Sequence, residues 1–294
     1  MIIGAHVSFS KNGLLGCVED TLFYEGNAFM FYTGAPQNTV RKPIDKELTK
    51  KGHELMKENN ILVDNIVVHA PYIVNLASPK QHNWEFSIQF LKQEIERLRE
   101  LGMKMLVLHP GNAVGIPKEK GLNNIIKALK ELINDDVTIL LESMAGKGTE
   151  CGNTLEELAY LIEPYKNENI GICLDTCHLH DAGYDISKFD EYLDEFDKQI
   201  GLDKLKCIHV NDSKNERGAK KDRHDNFGFG TIGFDTLIDV CYNKRLEHIP
   251  KILETPHFKY EKTSFPPYKE EIKMIKSKKF NKNLEEDTIK LYKK

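Results

Sequence analysis

No stretch of this chain approaches the roughly 18 consecutive apolar residues that a bilayer-spanning helix requires. The opening residues MIIGAHVSFS also lack the basic segment followed by a long apolar one that marks a secretory signal. Neither a membrane span nor export is expected, and a cytoplasmic location follows by default. The six cysteines, Cys17, Cys151, Cys173, Cys177, Cys207 and Cys241, include no C-x-x-C pair. Three lie inside or at the end of apolar runs, the usage of small buried hydrophobes in a reducing compartment rather than of a disulfide framework. A basic surplus is missing too. The formal charge of −4 lends no support to a nucleic-acid partner, yet it does not exclude one, because bound cations do not enter that count. Nor does a Pro/Gly/Ser-rich linker, a composition shift or a short-period repeat divide the chain.

What is present is ordinary for a folded protein: 294 residues, 40% hydrophobic and 29% charged. That length suits two average domains or one α/β barrel. Short apolar runs recur with helical patterns between them: IIGAHVS (2–8), AFMFYT (28–33), NIVVHAPY (65–72), MLVLHPG (105–111), TILLES (138–143), IGICLDTCH (170–178), CIHVNDS (207–213) and KILETP (251–256). Strand alternating with helix eight times predicts a single (β/α)8 TIM barrel domain over residues 1–294. The segment 81–102 carries Phe86, Phe90, Leu91, Ile95 and Leu98 as a helical stripe. NTLEELAYLIEPY (153–165) opens with Asn153 as a cap and Glu156 three residues on, a capping-box pattern with Asn in the Ser/Thr place. A loop and a closing helix are expected after the eighth run, with the Lys-rich tail 276–294 as a solvated end.

The stretch GICLDTCHLHDAGYD (171–185) changes character at Asp175. Gly171 to Leu174 read as a strand buried on both faces, and burying Asp175 and His178 at its exit costs several kcal/mol unless something pairs with them. A metal, an ion pair or a hydrogen-bonded network would each suffice there. The other strand exits shift the balance. The first ends in His6, the third in His69, the fourth in His109, the fifth in Glu142, the sixth in Asp175 and His178, the seventh in His209 and the eighth in Glu254. In a barrel these ends converge on the C-terminal face, where catalytic groups are found. Seven of eight strands thus aim a His, Asp or Glu at one crevice, and a compensating cation is the economical answer to so many buried donors and charges.

In the loop after the seventh run, Asp222 and His224 stand two apart, so an extended backbone would turn both toward one ion. Asp175 and His178, three apart across a strand exit, are expected to face neighbouring ions. Imidazole and carboxylate without thiolate suit Zn²⁺ first, with Mn²⁺ or Fe²⁺ as substitutes, and argue against Mg²⁺ and Ca²⁺. Cys177 reads as a buried structural thiol. His53, His82, His180, His248 and His257 match no strand exit and are expected on the surface or in loops. His6 fits either the barrel core or support of the metals.

GICLDTCH, LLESMAGKG, HVNDSK followed by DRH, LHPG and HAPY, in this order, resemble the endonuclease IV family of apurinic/apyrimidinic endonucleases. GAHVS at the start and LET near the end extend the likeness over essentially the whole chain, and GICLDTCH and HVNDSK are its most specific pieces. The resemblance implies a (β/α)8 repair enzyme carrying three Zn²⁺ ions. It implies that His69, His109 and Glu142 hold one ion, that Glu142 bridges to a second completed by Asp175, His209 and Glu254, and that His178, Asp222 and His224 hold the third. Four carboxylates against three dications would leave a positive crevice in an acidic protein, suited to a phosphodiester. The implied reaction is in-line attack of a metal-activated water on phosphorus, with Glu142 as the catalytic bridge. It cleaves 5′ of an abasic site in duplex DNA and leaves a 3′-hydroxyl and a 5′-deoxyribose phosphate. Tyr72 matches the residue that enters the duplex at the lesion.

Two positions depart from the family pattern: Gln37, in the loop TGAPQNTVRKP, stands where some members place Arg, and Phe229 stands where some are acidic. Arg223, Arg41, Lys147 and Lys214 are rim cations that either contact phosphates or face solvent. No obligate protein partner is evident, and a monomer is the default because a crevice admitting bent duplex needs an open face. The main alternative is a sugar isomerase or epimerase of the xylose-isomerase type, whose chemistry needs one or two ions and a Lys or paired carboxylates for proton transfer. A DNA-binding module without catalysis is a third reading, against which the acidic charge and loaded barrel mouth both speak.

Overall fold

The computed structural model describes residues 1–293. Eight parallel strands close into a barrel: Ile3–His6, Ala28–Phe31, Ile66–His69, Met105–Leu108, Thr138–Glu142, Ile170–Asp175, Leu205–His209 and Lys251–Leu253. Each lies within or across the run expected for it. The first strand pairs with both the second and the eighth, which closes the cylinder. Helices fill the crossovers, among them Gly13–Phe23, Lys46–Glu58, Gln81–Leu101, Lys118–Leu132, Leu155–Ile162, Phe189–Gln199 and Phe234–Cys241. Among the described residues no helix is long and apolar enough to cross a membrane.

The strands are short and buried on both faces, and their side chains sort by parity into two apolar layers. One lies inside the barrel and comprises Ala28, Met30, Val67, Met105, Val107, Leu140, Cys173, Cys207 and Ile252. The other, including Phe29, Phe31, Val68, Leu106, Leu141, Ile172, Leu174 and Ile208, packs between strands and helices. Residues two beyond the inner layer keep its parity, and they are His69, His109, Glu142, Asp175, His209 and Glu254. In the seventh strand this phase depends on a bulge. Ile172 pairs with Leu205 but Cys173 pairs with Cys207, so Lys206 is an extra residue. Without it every later side chain of that strand would turn to the opposite face, His209 included. Gly4 serves closure: a Cβ there would collide with the Ala28 carbonyl of the neighbouring strand.

All six cysteines are free and buried, as expected of small hydrophobes. Three local expectations are corrected. The cap of Leu155–Ile162 is Thr154, not Asn153: its hydroxyl accepts from the Glu157 N–H, while a Glu157 carboxylate oxygen accepts from the N–H groups of Gly152 and Asn153. The Thr-x-x-Glu one residue further on thus starts the helix, with its glutamate reaching past the cap to the two preceding N–H groups rather than closing a reciprocal box. The tail, described through residue 293 with Lys294 outside the described residues, is not a solvated end. After the helix Tyr268–Ser277 it forms a second helix, Leu284–Tyr292, that buries Leu284 and Thr288 and sets Tyr292 against Phe23 and Phe265, ring centroids 5.7 Å apart in both cases. Arg41 neither faces solvent nor offers itself to phosphate, since its Nε donates to the buried Glu94 at 2.6 Å.

Because Thr154 satisfies one of the four unpaired N–H groups at its helix start, Thr154→Ala is expected to lower stability by about 1 kcal/mol. The measurement is the urea midpoint at unchanged m-value. An unmoved midpoint would mean that Glu157 alone holds that turn.

A candidate metal centre at the barrel mouth

Six of the nine expected ligands stand at strand exits on the inner parity, and three stand on the segments that follow the sixth and seventh strands. The structure brings all nine together in three groups: His69, His109 and Glu142; Glu142, Asp175, His209 and Glu254; and His178, Asp222 and His224. In each, one donor atom per residue lies within 4.8 Å of the others. Glu142 belongs to two groups. Its Oε2 lies 3.0 Å from His69 Nε2 and 3.1 Å from His109 Nε2, and its Oε1 lies 3.0 Å from His209 Nδ1. His209 Nδ1 is also 2.9 Å from Glu254 Oε2. In the third group His178 Nε2 stands 3.0 Å from Asp222 Oδ1, and His224 Nε2 stands 3.6 Å from both Asp222 Oδ1 and Asp175 Oδ2.

The surroundings fix which ring nitrogen faces the centre. His69 Nδ1 donates to the Ala70 carbonyl at 2.7 Å, His178 Nδ1 to Ser143 at 2.8 Å and His224 Nδ1 to Glu254 at 3.2 Å. Each Nε2 therefore faces the centre, the usual orientation of a ligating imidazole once its proton is displaced. Asp175 is held from two sides. Its Oδ1 accepts from the His178 N–H, so it caps the short helix Thr176–Ala182, and its Oδ2 accepts from Asn211 Nδ2 at 2.7 Å. The Asn211 Oδ1 then accepts from the Glu254 N–H at 2.8 Å, joining the sixth and eighth strand exits.

Burial opposes the charge on these groups, and their mutual pairing overrides it. It pushes the Glu142 carboxyl up, yet His209 and His109 hold it well below the usual carboxylate range. Burial works to lower His178, but Asp175, Asp222 and Glu142 hold it well above its ordinary 6.5. His109 is raised for the same reason, by Glu142. Asp222, raised by burial alone, is held down to about 2, chiefly by His178. The donor set fits divalent ions. His224 Nε2 is buried with no hydrogen-bond partner while two carboxylates face it, so a cation between them would satisfy all three. Cys177 Sγ also comes within 4.8 Å of donor atoms of Asp175 and His224, but burial with Asp175 and Asp181 beside it pushes its thiol far up and keeps it neutral.

Other expectations fare unevenly. Asp222 and His224 converge, but not by extended geometry, since Asp222 is left-handed with φ of 55°. His180 is neither on the surface nor in a loop: it is buried in the helix Thr176–Ala182, its Nε2 3.0 Å from the Thr231 hydroxyl. His53 is half-buried in the helix Lys46–Glu58 and donates to the Leu101 carbonyl. His82, His248 and His257 are exposed. His6 stands at the mouth rather than in the core, edge-on to Tyr32 at 5.2 Å, and burial lowers it to about 4. Tyr32, absent from the expected set, keeps the inner parity two residues after Met30 and lies 5.0 Å from the His69 ring. That parity was the signal for it. Beside the candidate ligands opens a cavity of about 810 Å³ bordered by His6, Tyr32, Gln37 and His257. Tyr72 is 56% exposed on the rim, and Gln37, Arg223, Lys147 and Lys214 are exposed as well. Phe229 packs on Phe280, ring centroids 4.9 Å apart.

The raised His178 and His109 values carry a sign. Their pairing stabilises the metal-free fold fully below the unfolded pKa of about 6.5 and is lost as pH rises through the higher folded values. The urea midpoint of chelator-treated protein is therefore expected to fall from pH 6.5 upward, and uptake of a divalent ion to release protons there. A midpoint that rises over that window would refute the pairing.

The xylose isomerase-like TIM barrel family matches residues 24–278. A protein of Oceanobacillus iheyensis named "Probable endonuclease 4" is 53% identical over 291 residues, which cover 97% of each chain. One of the same name from Bacillus subtilis is 50% identical over 98% of each. Among solved structures, endonuclease IV from Thermus thermophilus superposes with a TM-score of 0.81 at 28% identity, over 94% of this chain and 98% of that one. A D-tagatose 3-epimerase-like protein shares the fold, with a TM-score of 0.64 at 22% identity over 95% and 99% of the two chains. With about half of its residues identical to those of such relatives over nearly its full length, this chain belongs to the endonuclease IV family.

Proposed function

We propose that this chain is a zinc-dependent DNA repair endonuclease. It hydrolyses the phosphodiester 5′ of an abasic site in duplex DNA, leaving a 3′-hydroxyl and a 5′-deoxyribose phosphate. The observation that carries the reading is the sharing of Glu142 between two His/carboxylate groups with a third group alongside, on a chain whose relatives are endonucleases. The donor chemistry favours Zn²⁺, one ion per group, with Mn²⁺ as a substitute. One barrel domain, acting as a monomer with an open mouth, would suffice.

When bound, the divalent ions supply Lewis acidity at the phosphoryl group and clamp the attacking and leaving oxygens of an in-line displacement. The chain's residues supply the frame. Glu142 presents one oxygen to each of two groups and so sets the spacing across which a phosphate is gripped. The backbone carbonyls of Ala70, Ser143 and Glu254 keep three imidazole Nε2 atoms turned inward without reorganisation during turnover. Tyr72, with no packing partner over much of its ring, is available to enter the duplex. An abasic nucleotide has lost stacking and pairing, so its extrusion costs less than that of an intact one, which gives selectivity a physical source. Gln37 and Arg223 are proposed DNA contacts on the same rim.

A sugar isomerase shares the barrel, but the epimerase likeness extends to fold alone, and nine donors in three groups exceed what one or two ions need. Purified protein is expected to hold three zinc ions per chain by elemental analysis and to incise a duplex carrying a single abasic analogue. Full zinc loading without incision would end this reading, and one or two Mn²⁺ or Mg²⁺ with sugar turnover would favour the isomerase. Glu142→Gln is expected to lose several orders of magnitude in turnover while remaining folded, because it removes the charge that two groups share. Near-normal turnover would exclude the bridging role.

A further inference from the structure

We propose that Asp181, which none of the ligand groups includes, is the positioning residue that builds the third group; this rests on the reading that His178, Asp222 and His224 hold an ion. Asp181 sits in the helix Thr176–Ala182, three residues beyond His178, and is fully buried. Both carboxyl oxygens are committed to the segment 213–222. Oδ1 accepts from the Ser213 hydroxyl at 2.6 Å, and Oδ2 accepts from Asn215 Nδ2 at 3.0 Å, the Lys221 N–H at 3.2 Å and the Asp222 N–H at 2.8 Å. The backbone of the same turn continues the clamp. The His180 carbonyl accepts from the Gly218 N–H and the Asp181 carbonyl from the Lys220 N–H, both at 2.9 Å.

That clamp answers a steric problem. Lys220 and Asp222 both lie in the left-handed region with φ of 55°, where a side chain crowds its own backbone. Such a conformation persists only where its surroundings over-determine it. Two donors to Asp181 are the N–H groups on either side of the Lys221–Asp222 step, so the carboxylate holds the strained residue that carries the ligand. His178 and Asp222 are 44 positions apart in sequence yet meet at 3.0 Å because one turn of helix fixes both. The other two groups need no such device, since their ligands stand on barrel strands.

Removing the carboxylate should therefore weaken one ion and spare two. Asp181→Ala leaves four donors without their acceptor. Asp181→Asn keeps an oxygen for the Lys221 and Asp222 N–H groups, and the Ser213 hydroxyl can rotate to accept from the new amide. The full chain, loaded with zinc, is titrated against a chromophoric chelator, and metal content is measured after dialysis. Expected are three ions in the wild type, two retained by Asp181→Ala with the third held roughly 10–100-fold more weakly, and near wild-type retention by Asp181→Asn. Three ions of unchanged affinity in Asp181→Ala would overturn the proposal. Amide exchange on chelator-stripped wild type tests it without a variant: the Lys221 and Asp222 amides are expected to stay protected, and free exchange would show that metal, not Asp181, orders the segment. A wild type holding only two ions would remove the third group from the functional reading, while the exchange result would still decide whether Asp181 orders the segment.

Discussion

The Glu142 carboxylate, buried at the centre of the barrel mouth, meets His69 and His109 through one oxygen and His209 through the other. A lone anion in that position would be costly, and three imidazoles bearing on it from three strands offset the cost only while positive charge is shared among them. The same arrangement forbids a simple apolar plug for the mouth. Replacing any one member leaves the others facing unpaired partners, so the centre stands as a unit and the surrounding barrel is shaped to present it.

Presentation depends on strand periodicity. The barrel interior is apolar through one layer, and the next residues of inner parity are the candidate ligands, so a layer able to hold metal rests directly on a packed one. That stacking provides rigidity from below and access from above. The bulge at Lys206 shows how narrowly the phase is set. The third group is built differently, from a short helix and a loop pinned to it, and its Asp222 and His224 are less buried than the residues of the other groups at strand exits such as His69, Glu142, Asp175 and His209.

Much of this was legible in the chain. Parallel strands buried on both faces read as short apolar runs, and the ligand candidates at their exits are conspicuous because a His, Asp or Glu follows seven of the eight runs. The loop ligands were legible as residue types but not as geometry, since a left-handed Asp222 leaves no mark in composition. Arg41 looked like a rim cation because its partner Glu94 lies 53 positions away, on the helix Gln81–Leu101. His180 was hidden for a similar reason: its partners belong to segments that only the fold brings near. In the tail the abundance of lysine masked Leu284, Thr288 and Tyr292, whose spacing of four defines one buried helical stripe.

Tyr292 rests on Phe23, and the strand Ile3–His6 is hydrogen-bonded to Lys251–Leu253. The first strand and the last described helix therefore meet on one side of the cylinder. During synthesis the strand Ile3–His6 has only one neighbour until Lys251–Leu253 has emerged, and the helix Gly13–Phe23 lacks a covering aromatic until Tyr292 follows. Closure of such long loops is slow relative to local helix formation, so the nascent barrel spends its elongation as an open, edge-exposed sheet. The enzyme's vulnerability to misassembly lies at that seam, where Ile3 must find Lys251 and so set Glu254 at the mouth.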